Sequence, residues 1–122
     1  MTFFTNVFGG PVPTLSAREL HEKLMNGKRP FILDVRQPEE FRLGHIDGAK
    51  LIPLGQLAGR MNEVPRDSEI VCICASGHRS VPAVHTLKAA GYNASSMKNG
   101  MIAWQMAKLP VQRGVENARK TI

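Results

Sequence analysis

The chain reads as an α/β domain built around a mostly parallel sheet, and three observations lead there. Phe31-Ile32-Leu33-Asp34-Val35 and Glu69-Ile70-Val71-Cys72-Ile73-Cys74 are short, almost continuously apolar runs. Such runs suit strands covered on both faces, as in parallel sheets. Segments with helical spacing and helix start and stop signals stand between the runs, an alternation that marks α/β architecture. With 122 residues, 43% of them hydrophobic, the chain can bury one core without disulfides or metals.

The elements follow in order. Ser16 with Glu19 forms a capping box, in which each side chain satisfies a free backbone N–H of the other. The helix that follows carries Leu20 and Leu24 one turn apart and ends at Gly27. After the first apolar strand, Pro38-Glu39-Glu40-Phe41 opens a short helix, with proline in the first turn and carboxylates at its positive end, and Gly44 stops it. Ala49 to Ile52 is a brief strand closed by Pro53, and Leu54 to Met61 is a helix weakened by Gly55 and Gly59. The second apolar run, 69–74, is the strongest strand. A tight loop over 75–79 then leads into a helix from Ser80 to Gly91. Residues 93–97 are a further strand, Asn99-Gly100 a turn, and Met101 to Lys108 a last helix ended by Pro110. The tail from Gln112 is polar and expected to be loose, with a helical turn over 116–120.

Charge and composition exclude several classes. The formal net charge is +6, and all of it falls in residues 70–122, where seven basic side chains face only Glu116. This is a solvated basic surface, or one that attracts small anions or acidic partners. Nucleic acid is not expected, because the basic residues are scattered and do not alternate with aromatics. The first sixteen residues have no basic residue, and Asn6, Gly9, Gly10, Pro11 and Pro13 break their apolar stretch, so they do not read as a signal peptide. No run is long enough for a transmembrane helix. The expectation is a soluble, cytoplasmic protein that binds no membrane.

The chemistry concentrates at residues 74–80, Cys-Ala-Ser-Gly-His-Arg-Ser. Here a thiol ends a buried strand, Gly77 and small residues let the chain turn sharply, and a helix begins near Ser80. In open α/β sheets ligands bind beyond the carboxyl ends of strands. Loop amides can converge there as an anion nest, with the positive end of the helix behind them. Arg79, and His78 when protonated, add positive charge, and all of this favours a thiolate at Cys74. Cys72 sits mid-strand between Val71 and Ile73 and reads as a small structural hydrophobe. The two cysteines are too close in sequence for a good bridge to each other. A zinc site on Cys72, Cys74 and His78 is not expected, since C-x-C misses the usual spacing and no second pair exists. His85 reads as a surface or packed residue, His21 carries no site argument, and His45 supports a turn.

Several segments together resemble the rhodanese family. Asp34-Val35-Arg36-Gln37-Pro38-Glu39-Glu40-Phe41, then Gly44-His45-Ile46-Asp47-Gly48-Ala49 and Ile52-Pro53-Leu54, resemble its first signature. Residues 74–80 resemble its active-site loop. Asn99-Gly100-Met101-Ile102-Ala103-Trp104 with Leu109-Pro110-Val111 resembles its closing signature. The likeness runs over residues 14–113, leaving 1–13 as a lead-in and 114–122 as a tail. It implies a rhodanese-like fold, with a central five-stranded parallel sheet and helices on both faces. It implies that Cys74 alternates between thiolate and persulfide, that Ala75, Ser76, Gly77, His78, Arg79 and Ser80 form the substrate and persulfide loop, and that Asp34 and Arg36 organise the site. Asn99 stands where the family usually has glycine, and asparagine tolerates the left-handed backbone such a turn needs.

The implied activity is sulfur transfer from thiosulfate or a persulfide donor to cyanide or a thiol, in two steps, without metal or organic cofactor. A small anionic donor, a thiol or cyanide acceptor, and a sulfur-relay or thioredoxin-like protein are the implied partners. Two rivals stay open. Cysteine phosphatases and arsenate reductases also use Cys and Arg around an anion loop, but with five residues between them, where this chain has Ala75, Ser76, Gly77 and His78. A non-catalytic interaction domain is the other, and a thiosulfate–cyanide assay separates it from the enzyme.

Overall fold

A computed structural model describes residues 10–115. The lead-in before Gly10 and the helical turn expected over 116–120 lie outside the described residues. Five strands, β1 (Thr14–Leu15), β2 (Phe31–Asp34), β3 (Lys50–Leu51), β4 (Glu69–Ile73) and β5 (Asn93–Met97), form one sheet in the order β1-β5-β4-β2-β3. Every pairing in it is parallel. Among the described residues four α-helices accompany it: α1 (Ala17–Met25), α2 (Pro38–Leu43), α3 (Ser80–Ala89) and α4 (Gly100–Met106).

Alternation along the strands divides the core in two. Leu33 and Val35, with Ile70, Cys72 and Cys74, face a cluster completed by Ala83, Val84 and Leu87 of α3 and by Leu57 and Val64. Ile32, Val71 and Ile73 face the opposite cluster, with Leu20 of α1, Phe41 of α2, and Met101 and Trp104 of α4. Both faces are thus covered, which is why β2 and β4 are apolar at nearly every position. Burial of each large side chain here contributes roughly 1.5–3 kcal/mol.

The capping box at Ser16 is present, with Ser16 N–H donating to Glu19 Oε1 and Glu19 N–H to Ser16 Oγ. The structure differs from expectation at three places. Thr14–Leu15, which carries no strand signal of its own, is an edge strand; it pairs with Ser96 and Met97. Residues 54–61 do not form an α-helix. Leu54–Gln56 and Met61–Glu63 are separate 3₁₀ turns, as glycines at 55 and 59 in a short segment would favour. The segment from Gln112 is also not loose at its start. Gln112 and His45 exchange both backbone hydrogen bonds, at 2.8 and 2.9 Å, and Gly114 N–H reaches the Arg42 carbonyl.

Strand order places the candidate site. The chain leaves β2 toward β3 on one side and leaves β4 toward β5 on the other. The adjacent carboxyl ends of β2 and β4 therefore form a switch point, where a crevice opens. Asp34 ends β2 opposite Ile73, and Cys74 is the next residue of β4's chain.

Candidate active site

Cys74 lies one residue past β4, on the same face as Cys72, so its side chain turns toward the start of α3. Gly77 adopts φ +95°, a left-handed conformation that lets the loop fold back over the sulfur. Its N–H then points at Cys74 Sγ from 3.0 Å, and the Ser80 N–H does so from 3.3 Å. These two amides, one of them beyond the 75–79 stretch, are the backbone donors on the sulfur. The thiol donates in turn to Ser80 Oγ at 3.5 Å. Ser80 Oγ lies 2.6 Å from Ser96 Oγ and 3.3 Å from the Gly77 carbonyl. Ser96, buried on β5, was not singled out from sequence. Its only sequence mark is a small polar residue inside a strand, and its partner is sixteen positions away.

The outer side of the loop is held by α4. Met101 N–H donates to the Cys74 carbonyl at 2.8 Å and Ile102 N–H to the Ala75 carbonyl at 3.0 Å. The first amides of a helix lack partners within it, and here the loop carbonyls supply them. Asn99 sits in the left-handed region at φ 59° and ψ 12°, so the turn forms without the usual glycine. Gly100, at φ +56°, packs directly on the loop. A Cβ there would collide with the Cys74 carbonyl oxygen and lie 2.6 Å from the Ala75 carbonyl. The closing Asn-Gly motif thus pins the loop carbonyls outward while the amides of Gly77 and Ser80 face the sulfur.

Arg79 borders the loop, but its guanidinium is engaged. Both terminal nitrogens meet the carboxylate oxygens of Glu40 at 2.8 Å, in the two-point geometry that arginine and carboxylate share. Glu40 lies in the first turn of α2 and also accepts the Gln37 N–H at 2.9 Å. The hydrogen bonds from Arg79 hold the Glu40 carboxyl down at about 2, against burial, and Glu40 in turn raises the guanidinium's pKa. Glu40 stood inside the first signature but read only as a helix-start carboxylate.

Asp34 and Arg36 form a second two-point pair, buried, with Arg36 Nε and Nη2 each 2.9 Å from an Asp34 oxygen. Arg36 also donates to the Gly44 carbonyl at 2.8 Å. These bonds tie the end of β2 to the far end of α2. Among the described residues they run to each other and to Gly44, not to Cys74. Burial pushes the Cys72 thiol up to about 12, so Cys72 stays protonated at neutral pH.

The exposed side of the loop carries His78, whose Nδ1 lies 2.8 Å from Ser76 Oγ. The other histidines sit apart from the sulfur. His45 stacks on Phe41 with ring centres 3.6 Å apart and contacts the Phe41 carbonyl, supporting the turn after α2. His85 Nε2 meets the Gly10 carbonyl, and His21 meets Trp104 edge-on. Among the described residues no three His, Cys, Asp or Glu side chains converge as a metal site requires, and no helix is long and apolar enough to cross a membrane.

Known proteins resemble this chain over most of its length. The Rhodanese-like domain family matches residues 16–107. A protein named sulfurtransferase from Allochromatium vinosum is 32% identical over 101 residues, covering 82% of this chain and 94% of its own length. The HTH-type transcriptional regulator Rv0324 of Mycobacterium tuberculosis is 34% identical over 111 residues, or 89% of this chain; the chain spans about half the regulator's length, 49%. The crystal structure of a rhodanese-related protein from Thermoplasma volcanium has a TM-score of 0.79 at 31% identity, covering 84% of this chain and 99% of that one. With a family match over most of its length and a five-stranded parallel sheet like that of its structural relatives, the chain belongs to the rhodanese-like domain family.

Proposed function

We propose that this chain is a sulfurtransferase that carries a sulfane sulfur as a persulfide on Cys74. The observation that carries the reading is the convergence of the Gly77 and Ser80 amides on Cys74 Sγ. Oriented backbone donors favour negative charge on that sulfur, first as thiolate and then along the persulfide. Membership in the family and the sulfurtransferase name of a relative support it.

The chemistry divides into two displacements. The Cys74 thiolate attacks the outer sulfur of thiosulfate or of a persulfide donor. A new sulfur–sulfur bond forms, the donor's bond breaks, and sulfite or the donor thiolate leaves with the electron pair. A cyanide or thiolate acceptor then attacks the outer sulfur, and Cys74 departs as thiolate, giving ping-pong kinetics. No cofactor takes part. Cys74 is 0% exposed, so the segment Ala75, Ser76, Gly77 and His78 gives way to admit the donor. Asp34 and Arg36 organise the end of β2 beside it, Arg79 ties the loop to α2 through Glu40, and Ser80 joins it to the start of α3. In a reducing, cytoplasmic setting the donor or acceptor is a small thiol species or a sulfur-relay or thioredoxin-like protein.

Phosphatase chemistry fits this geometry less well. Only four residues separate Cys74 from Arg79. The guanidinium that an oxyanion would need is also already forked on Glu40. The test is the intact mass after incubation with thiosulfate or a small-molecule persulfide. One sulfur atom is gained and is lost again when a thiol is added, and Cys74→Ser gains none. An unchanged mass together with turnover of an aryl phosphate would overturn the assignment.

A further inference from the structure

The charges around Cys74 cancel in pairs. Arg36 is forked on Asp34 and Arg79 on Glu40, each through two nitrogens at 2.8 to 2.9 Å. The Asp34–Arg36 pair is buried, and Arg36 is further anchored on the Gly44 carbonyl. The Arg79–Glu40 pair is different. Each side chain is 35% exposed, and Arg79 immediately precedes Ser80, whose amide reaches Cys74 Sγ. Glu40 is fixed from its own side by the Gln37 N–H, so it cannot follow Arg79 toward the sulfur without giving up that bond. A donor approaching Cys74 therefore meets neutral amides and one partly exposed guanidinium, that of Arg79, already matched by a carboxylate.

We propose that Glu40 is a specificity-determining residue. By occupying Arg79, it keeps the mouth of the Cys74 loop close to electroneutral and biases the site away from dianionic donors such as thiosulfate, toward donors of lower charge such as organic persulfides. This rests on the sulfur-transfer reading above. Glu40 acts through Arg79 and is a positioning residue; it does not touch Sγ. The basic excess of residues 70–122 then serves at long range, while the local balance sets the selection between donors.

The experiment compares thiosulfate, a dianion, with the persulfide of 2-mercaptoethanol, a monoanion, as donors to the full chain. In Glu40→Gln the amide keeps the side-chain shape and the acceptor for Gln37 but releases the charge of Arg79. The ratio of kcat/KM for thiosulfate to that for the organic persulfide should rise about fivefold, the scale of one half-exposed charge in water. The gain should sit in KM for thiosulfate and fade as salt is added. Adding Arg79→Ala to Glu40→Gln should erase it, whereas Arg79→Ala alone should depress thiosulfate use by unmasking Glu40. If both donors load Cys74 but Glu40→Gln leaves the ratio and its salt dependence unmoved, Glu40 has no part in selection. If neither donor adds sulfur to the unmodified protein, the sulfur-transfer reading fails and this inference fails with it.

Discussion

Gly100→Ala tests whether α4 holds the Cys74 loop. Two costs follow from the geometry. Gly100 stands at φ +56°, and placing an L-residue in a left-handed conformation costs roughly 1–2 kcal/mol. The added Cβ would also overlap the Cys74 carbonyl and lie 2.6 Å from the Ala75 carbonyl, both backbone groups with little room to give. Relief requires the loop and the helix start to separate, which breaks the Met101 and Ile102 hydrogen bonds at about 1 kcal/mol each. The expected loss of stability is about 3–4 kcal/mol from these two contributions. Sulfur loading should suffer beyond that, because a displacement of about 1 Å at reacting atoms can cost roughly 100-fold in rate. Gly27→Ala is the control. It too has positive φ, at +76°, but nothing lies within 4 Å of the point its new methyl group would occupy, so it isolates the conformational cost. Urea melts give the stabilities, and the rate of mass gain with a sulfur donor gives the chemistry, measured below each variant's transition. Equal destabilisation in the two variants, with Cys74 loading unimpaired in Gly100→Ala, would refute the clamp.

Three further outcomes follow from single contacts. Cys72→Ser should retain sulfur loading but lose about 1–3 kcal/mol in urea melts, because it buries a hydroxyl in an apolar cluster; loss of loading in a folded Cys72→Ser protein would give Cys72 a role in the chemistry. Ser96→Ala removes the hydroxyl 2.6 Å from Ser80 Oγ and should cost about 1 kcal/mol in urea melts while leaving sulfur loading on Cys74 in place, since Ser80 Oγ keeps the Gly77 carbonyl; an unchanged melting midpoint would leave the Ser80–Ser96 contact without a net contribution. For Glu40, whose carboxyl is lowered from 4.5 to about 2, the pair with Arg79 stabilises the fold fully above pH 4.5 and loses that contribution as pH falls toward 2. Solvent screening limits it to about 1 kcal/mol or less. Acid unfolding of Glu40→Gln should lack this portion of the pH dependence, as melts of the two proteins between neutral pH and acid would register.

How much of this was legible in the chain depends on the range of the interaction. β2 and β4 were visible because a strand covered on both faces must be apolar at nearly every residue, whatever it packs against. α1 and α3 were visible because their stopping glycines, and in α1 the capping box, are local. Thr14–Leu15 was not, since two residues carry no period and the strand exists only through its pairing with Ser96 and Met97. Residues 54–61 have helix-forming leucines, but the glycines and their position between β3 and β4 leave short 3₁₀ turns instead.

The candidate site divides in the same way. Cys74, Gly77 and Ser80 lie within one loop, and the turn that brings two amides onto the sulfur is written in adjacent residues. Glu40, Ser96 and Gly100 act on that loop from three other elements. Glu40 lies 39 positions from Arg79, and a carboxylate in the first turn of a helix already has a local explanation. A local explanation hides a distant role. Arg79 shows the consequence: read beside Cys74 it is a free cation awaiting an anion, whereas in the fold it is half of a matched pair. The charge state of the loop's edge is therefore set from α2, through Glu40, and cannot be read from residues 74–80 alone.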